Sequence, residues 1–178
     1  MSLVSQWKID KSWTLFLDRD GVINVRFPGD YVKHVGEFGF LPGAKEAIAR
    51  LSGIFGKIIV VTNQQGIGKG IYTEEDLASI HAHMVSEIEK AGGRIDAVYF
   101  APHLESENSP MRKPGTGMAG QAKKDFPSID FSRSVMIGDS ASDMVFARNA
   151  GMKAVFIGTG ENLPGNPDFT CASLSDFR

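Results

Sequence analysis

Five short apolar runs mark the chain, at residues 13–17, 57–61, 97–100, 134–137 and 154–157. Each is rich in β-branched or aromatic side chains. Most show no apolar–polar alternation, the pattern of strands covered on both faces of a parallel sheet. Between the runs the spacing turns helical. Residues 42–54 carry Pro42 near the first turn and apolar Ala47, Ile48 and Leu51. Residues 73–91 begin Thr73-Glu74-Glu75-Asp76, a hydroxyl cap followed by first-turn acids. They place Leu77, Ile80, Met84, Val85 and Ile88 on one stripe and stop at Gly92-Gly93. Residues 116–126 and 141–150 predict two shorter helices, the second closed by Gly151. Strands alternating with helices predict right-handed βαβ crossovers, hence an α/β three-layer sandwich around an open parallel sheet. The connections 24–41 and 102–117 are long, and long loops in compact α/β domains are often functional. The stretch 160–178 is turn-rich, and its pattern does not resolve into elements.

Composition narrows the class. The chain has 178 residues, 42% apolar and 22% charged, with a net charge of −2. That excludes a disordered chain and predicts one domain over 1–178, with no repeat or linker to divide it. The near-neutral charge argues against nucleic acid as a partner. No apolar run approaches the ~18 residues of a membrane span, and residues 1–8 lack a signal-peptide pattern. The lone Cys171 forms no intrachain disulfide. The expectation is a cytoplasmic monomer acting on a small molecule.

In an open parallel sheet, ligands bind beyond the carboxyl ends of the strands. There the chain places Asp18-Arg19-Asp20-Gly21, then Thr62-Asn63-Gln64, then Pro102-His103 with Arg112-Lys113-Pro114, then Gly138-Asp139-Ser140 with Asp143. Asp18, Asp20 and Asp139 in one crevice would repel unless a cation lay between them. Hard oxygen ligands around an open site suit Mg²⁺. Lys113, Thr62 and backbone amides near Gly21 suit phosphate oxygens. One carboxylate can then act as nucleophile on phosphorus and the other as general acid and base.

The segment Leu17-Asp18-Arg19-Asp20-Gly21-Val22-Ile23-Asn24, with Thr62, Lys113 and Gly138-Asp139-Ser140-Ala141-Ser142-Asp143, resembles the four motifs of the haloacid dehalogenase (HAD) superfamily phosphatases. The resemblance spans about residues 13–158. Val61-Thr62-Asn63-Gln64-Gln65-Gly66-Ile67-Gly68-Lys69-Gly70 and Arg112-Lys113-Pro114-Gly115 are similar, more narrowly, to the D-glycero-D-manno-heptose 1,7-bisphosphate 7-phosphatases and the related histidinol-phosphate phosphatases. The resemblance implies a Rossmann-like HAD fold without a cap domain and a role in making nucleotide-activated heptose, as for lipopolysaccharide core. It implies Asp18 as nucleophile and Asp20 as general acid/base. Mg²⁺ would be held by Asp18, the Asp20 main-chain carbonyl and Asp139, and the transferring phosphate by Thr62 and Lys113. Asp143 would orient Lys113 or a metal-bound water. Asn63, Gln64 and Arg112, with the loop from Arg26 to Tyr31, would face the substrate, and Arg112 would hold a second phosphate.

These families typically carry a zinc loop of Cys-Pro-His and Cys-x-Cys. Here Ala101-Pro102-His103 and Ser109-Pro110-Met111 stand in its place. His103 alone cannot hold structural zinc, so none is expected. Several side chains keep simpler readings. Asp139 could cap the following helix and Asp143 could complement its dipole. His81 and His83 do not share a helix face and read as surface or partly buried residues. The rival functions are the same chemistry on histidinol phosphate or another small ester, and a non-catalytic phosphosugar-binding protein.

Overall fold

The computed structural model describes residues 2–159 and 165–178. Six parallel strands form one sheet: β1 (Thr14–Leu17), β2 (Lys57–Asn63), β3 (Ala97–Ala101), β4 (Ser134–Gly138), β5 (Lys153–Ile157) and β6 (Phe169–Cys171), ordered β3-β2-β1-β4-β5-β6. Leu17 lies opposite Val60 on one side and Ile137 on the other, so the ends of β1, β2 and β4 come level.

Successive side chains leave opposite faces of a strand, and the sheet therefore serves two cores. Leu15, Leu17, Ile58, Val60, Val135 and Ile137 pack with α2 (Ala44–Ser52), α4 (Glu74–Lys90) and both chain ends, where Leu3 of α1 (Leu3–Gln6) meets the cluster containing Phe177. Phe16, Ile59, Val61 and Met136 pack on the other face, against α5 (Gly117–Asp125) and α6 (Ala141–Ala150). Each fully buried Leu, Ile or Phe contributes about 1.5–3 kcal/mol. The stripe Leu77, Ile80, Met84 and Ile88 on α4 is buried, with Val85 at its margin.

Five departures from the sequence expectation have local causes. β3 is not covered on both faces, because it is the sheet edge and four of its five residues are half-buried. β2 runs on to include Thr62 and Asn63. The helix expected from Pro42 begins at Ala44, because Gly43 takes a left-handed φ of +74° at its cap. Gln65–Gly68 forms a short helix, α3, too brief for periodicity to reveal. Within the stretch 160–178, the edge strand β6 appears, whereas 160–164 lie outside the described residues.

The loop 102–117 packs against its neighbours. The backbone at Gly68 approaches the Pro102 carbonyl, Met111 rests on the α5–α6 core, and Glu105–Glu107 makes one turn capped by Glu107 on the Leu104 amide. Among the described residues no helix is long and apolar enough to cross a membrane.

Candidate active site

A cavity of about 350 Å³ opens beyond the carboxyl ends of β1, β2 and β4. Asp18 leaves β1 at its floor, 9% exposed. Lys113 arrives from the β3–α5 loop and is more deeply buried. Its Nζ donates to Asp18 Oδ1 at 2.9 Å and to the Val61 carbonyl at 2.7 Å, and lies 2.7 Å from Asp143 Oδ1. The loop is pinned in register by Asn63, whose side chain bonds the Lys113 amide (2.9 Å) and carbonyl (3.0 Å).

Asp143 makes two sets of contacts, one on each oxygen. Oδ1 faces Lys113, and Oδ2 accepts from the Ser140 amide and hydroxyl in a capping box at the start of α6. The cap of α6 is Ser140, so Asp139 is spared that duty. Asp139 instead turns toward the cavity. Its Oδ2 takes a 3.1 Å contact from Arg26, and its buried Oδ1 has no hydrogen-bond partner. That carboxylate approaches so closely because residue 21 is glycine: a Cβ there would fall 2.0 Å from Asp139 Oδ2, and φ is +84°. A side chain at this position would collide and be strained.

Crowding sets the charges. Burial, then Asp143, push the Asp18 carboxyl up to about 7, against the opposing pull of Lys113. Burial and Asp143 likewise raise Asp139, despite Arg26. Burial alone would pull Lys113 down, but Asp143 and Asp18 outweigh it, and it stays protonated. Carboxylate oxygens of Asp18, Asp139 and Asp143 lie within 4.8 Å of one another. Hard oxygen donors in this number, with one buried oxygen unpartnered, fit a divalent cation.

Asp20 differs. Burial would raise it, but Arg19, Asn24 and Gln64 together hold it below the usual carboxylate range. Arg19 NH2 reaches both of its oxygens, at 2.9 and 3.1 Å; Asn24 donates to Oδ1 and Gln64 to Oδ2, each at 2.9 Å. Thr62 and Gln64 do not line the cavity. Both are buried beneath it, where Gln64 Nε2 also donates to Thr62 Oγ1 at 2.9 Å. Asn63, Arg26, Tyr31 and Arg112 do line it. Arg112 NH1 is buried there without a hydrogen-bond partner. Tyr31 is held by Lys69, whose Nζ donates to its hydroxyl at 3.1 Å.

Residues 110–177 match the HAD-hydrolase-like family. Over 170 residues the chain is 38% identical to the D-glycero-alpha-D-manno-heptose-1,7-bisphosphate 7-phosphatase of Mycobacterium bovis, covering 93% of this chain and 89% of that protein. The chain belongs to the heptose-1,7-bisphosphate phosphatase family of HAD-like hydrolases. A second relative of this phosphatase, the D-glycero-beta-D-manno-heptose-1,7-bisphosphate 7-phosphatase of Rhodopseudomonas palustris, is 39% identical and covers 77% of the chain and 78% of that protein. The D,D-heptose 1,7-bisphosphate phosphatase from B. bronchiseptica, solved with magnesium and phosphate, superposes with a TM-score of 0.83 at 30% identity over 92% of this chain and 94% of that one.

Three residues around the phosphatase site escaped the sequence reading: Arg19, Tyr72 and His81. Arg19 is fully buried behind Asp20. Tyr72 donates its hydroxyl to Gln64 Oε1, and His81 lies 3.2 Å from Arg19 NH1. The one signal in sequence was an arginine set between two acids inside an otherwise apolar segment. Nothing in the spacing of α4 distinguished His81.

Proposed function

We propose that this phosphatase uses Mg²⁺ and an aspartyl-phosphate to remove the 7-phosphate of D-glycero-D-manno-heptose 1,7-bisphosphate, a step in forming nucleotide-activated heptose. The observation that carries this reading is the arrangement of charge. A carboxylate–lysine cluster floors the cavity, and Arg26, Lys69 and Arg112, with its buried NH1 unpartnered, line its wall. One phosphate can sit at the floor and another on the wall.

Asp18, the Asp20 main-chain carbonyl and Asp139 would hold the cation. When bound, it offsets the negative charge that three carboxylates and a phosphate bring together. Lys113 occupies Asp18 Oδ1, and among the described residues Oδ2 accepts no hydrogen bond. Asp18 Oδ2 attacks phosphorus, the P–O bond to the sugar breaks, and the leaving oxygen takes its electron pair and a proton; that proton enters on the phosphate monoanion and passes through Asp20, which Arg19 otherwise holds ionised. Asp20 then accepts a proton from water as that water attacks phosphorus. The Asp18–phosphorus bond breaks and inorganic phosphate leaves. Lys113 offsets the charge of the transferring phosphoryl oxygens, while Thr62, buried beneath the cavity, supports Gln64. Zinc has no part in this reading, since Ala101, Ser109 and Met111 offer neither thiolate nor imidazole beside His103.

Histidinol phosphate is disfavoured by the same wall, because a cationic leaving group would face Arg26, Lys69 and Arg112 with Asp30 as the acidic counterweight. A pure binding protein has no use for Asp20 in addition to Asp18. Relatives named for the alpha and beta anomers stand at 38% and 39% identity, so identity favours neither. The test is Mg²⁺-dependent phosphate release from both heptose bisphosphate anomers, histidinol phosphate, fructose 1,6-bisphosphate and an aryl phosphate. A kcat/KM for one heptose anomer at least ~100-fold above the rest supports the reading, about 2.7 kcal/mol of discrimination. A flat profile removes the heptose assignment, and no turnover removes the phosphatase.

A further inference from the structure

Behind the cavity lies a buried chain of side chains that the proposed reaction does not itself use. Arg19 is the largest fully buried side chain described. A buried guanidinium demands partners. Among the described residues it has two, Asp20, through NH2 at 2.9 and 3.1 Å, and His81 Nε2, 3.2 Å from NH1, while its buried Nε has none. His81 comes from the middle of α4, 62 residues along the chain, and its ring also lies 6.4 Å from that of Phe100 on β3. Burial first, and then the Arg19 charge, hold its pKa down to about 3, so the imidazole is neutral. With Arg19 donating, Nε2 must be the accepting nitrogen.

The arrangement is directional. Asp20 alone could rotate about its side-chain bonds, but Arg19 grips both oxygens from behind, and His81 fixes where the guanidinium lies. From the β2 side, Gln64 holds Oδ2 while its own carbonyl accepts from Tyr72.

We propose that Arg19, braced by His81, is a positioning residue that aims the Asp20 carboxyl at the leaving-group oxygen, so that α4 sets the geometry of proton transfer in a cavity it does not line. This rests on the assignment of Asp20 as general acid and base.

A proton donor matters for a poor leaving group and little for a good one. A sugar alcohol leaves as a strong base unless protonated, whereas 4-nitrophenolate leaves unaided. kcat/KM reports steps up to the first irreversible one, the loss of the leaving group. Damage to the aim of Asp20 therefore lowers kcat/KM for heptose 1,7-bisphosphate and spares 4-nitrophenyl phosphate. A residue that merely supports the fold moves both alike.

The experiment compares the two substrates, at saturating Mg²⁺, in full-length Asp20→Asn, Arg19→Met, His81→Phe and His81→Gln proteins. Asp20→Asn is expected to lose ~100-fold or more on the sugar phosphate and under ~3-fold on the aryl phosphate, since general acid–base catalysis contributes 10²–10⁴-fold. Arg19→Met and His81→Phe are expected to lose ~10–100-fold with the same selectivity. His81→Gln restores an acceptor for Arg19 and is expected to recover most of that loss. Should Arg19→Met fail to fold, the two His81 variants carry the comparison. Equal losses on both substrates in His81→Phe, or no loss, beside a selective Asp20→Asn, would overturn the positioning role alone. An unselective Asp20→Asn would overturn the acid assignment beneath it.

Discussion

Replacing Asp18 with Asn is expected to abolish turnover and, without metal, to make the protein more stable at mildly alkaline pH. The side chain is nearly isosteric, so packing changes little. What changes is a buried charge. In the fold, burial and the neighbouring acids push the Asp18 carboxyl from 3.8 up to about 7. Because the folded-state pKa is the higher one, folding penalises the ionised form. The associated stability is intact below about pH 4 and is lost as pH rises through about 7. The gap corresponds to up to about 4 kcal/mol above that range, an upper bound because Asn also takes one of its two carboxylates from the buried Lys113. At 2–4 °C per kcal/mol for a chain of this size, the Asn variant should melt higher than the parent near pH 8 by at most about 10 °C. The advantage should fade toward pH 4. Mg²⁺ should close the gap from the other side, stabilising the parent more than the variant, because binding to the folded state raises its apparent stability. Thermal unfolding in a chelating buffer across the pH range, repeated with Mg²⁺, measures all of this. A parent and variant whose melting curves stay parallel at every pH would refute the reasoning, since Lys113 would then fully compensate Asp18. Appreciable phosphate release by the variant would refute the nucleophile.

Asp143→Asn removes one carboxylate from Lys113 while leaving Asp18 in place. Breaking a buried pair costs about 3–5 kcal/mol, so with one partner kept a loss near 2–3 kcal/mol is expected in chemical denaturation, with activity down at least ~10-fold. Gly21→Ala puts a methyl against Asp139 in a left-handed backbone. It should weaken Mg²⁺ binding in titration calorimetry and destabilise by about 1–2 kcal/mol; unchanged affinity would argue that Asp139 is not a ligand. Arg112→Ala should raise KM for a bisphosphate ~10-fold or more and leave 4-nitrophenyl phosphate within ~2-fold. Equal effects on both would remove the second-phosphate role.

The sheet was legible because buried parallel strands write themselves as unbroken apolar runs, and α4 because Leu77, Ile80, Met84 and Ile88 keep helical spacing. The runs could not reveal which strands were edges. Edge exposure depends on neighbours, so β3 read as fully covered and β6, three residues long, went unseen. Eight of the ten nominated site residues line the cavity, because polar groups at the ends of apolar runs have one place to go. Thr62 and Gln64 lie under it instead. The bonds Gln64 makes to Thr62 and to Asp20 depend on its rotamer and on Tyr72. The bracing by His81 was beyond reach for a similar reason: a contact across 62 positions leaves no periodic trace.

Asp143 ties two properties that designers usually treat apart. One oxygen caps helix α6 and the other holds the lysine at the floor of the cavity. A substitution that improves the cap must also alter the charge at the floor of the cavity, and one that retunes that charge must also loosen the helix. Changes elsewhere in α6 can raise robustness freely, but at this position durability and turnover must shift together, and efforts to evolve one without the other should route around residue 143.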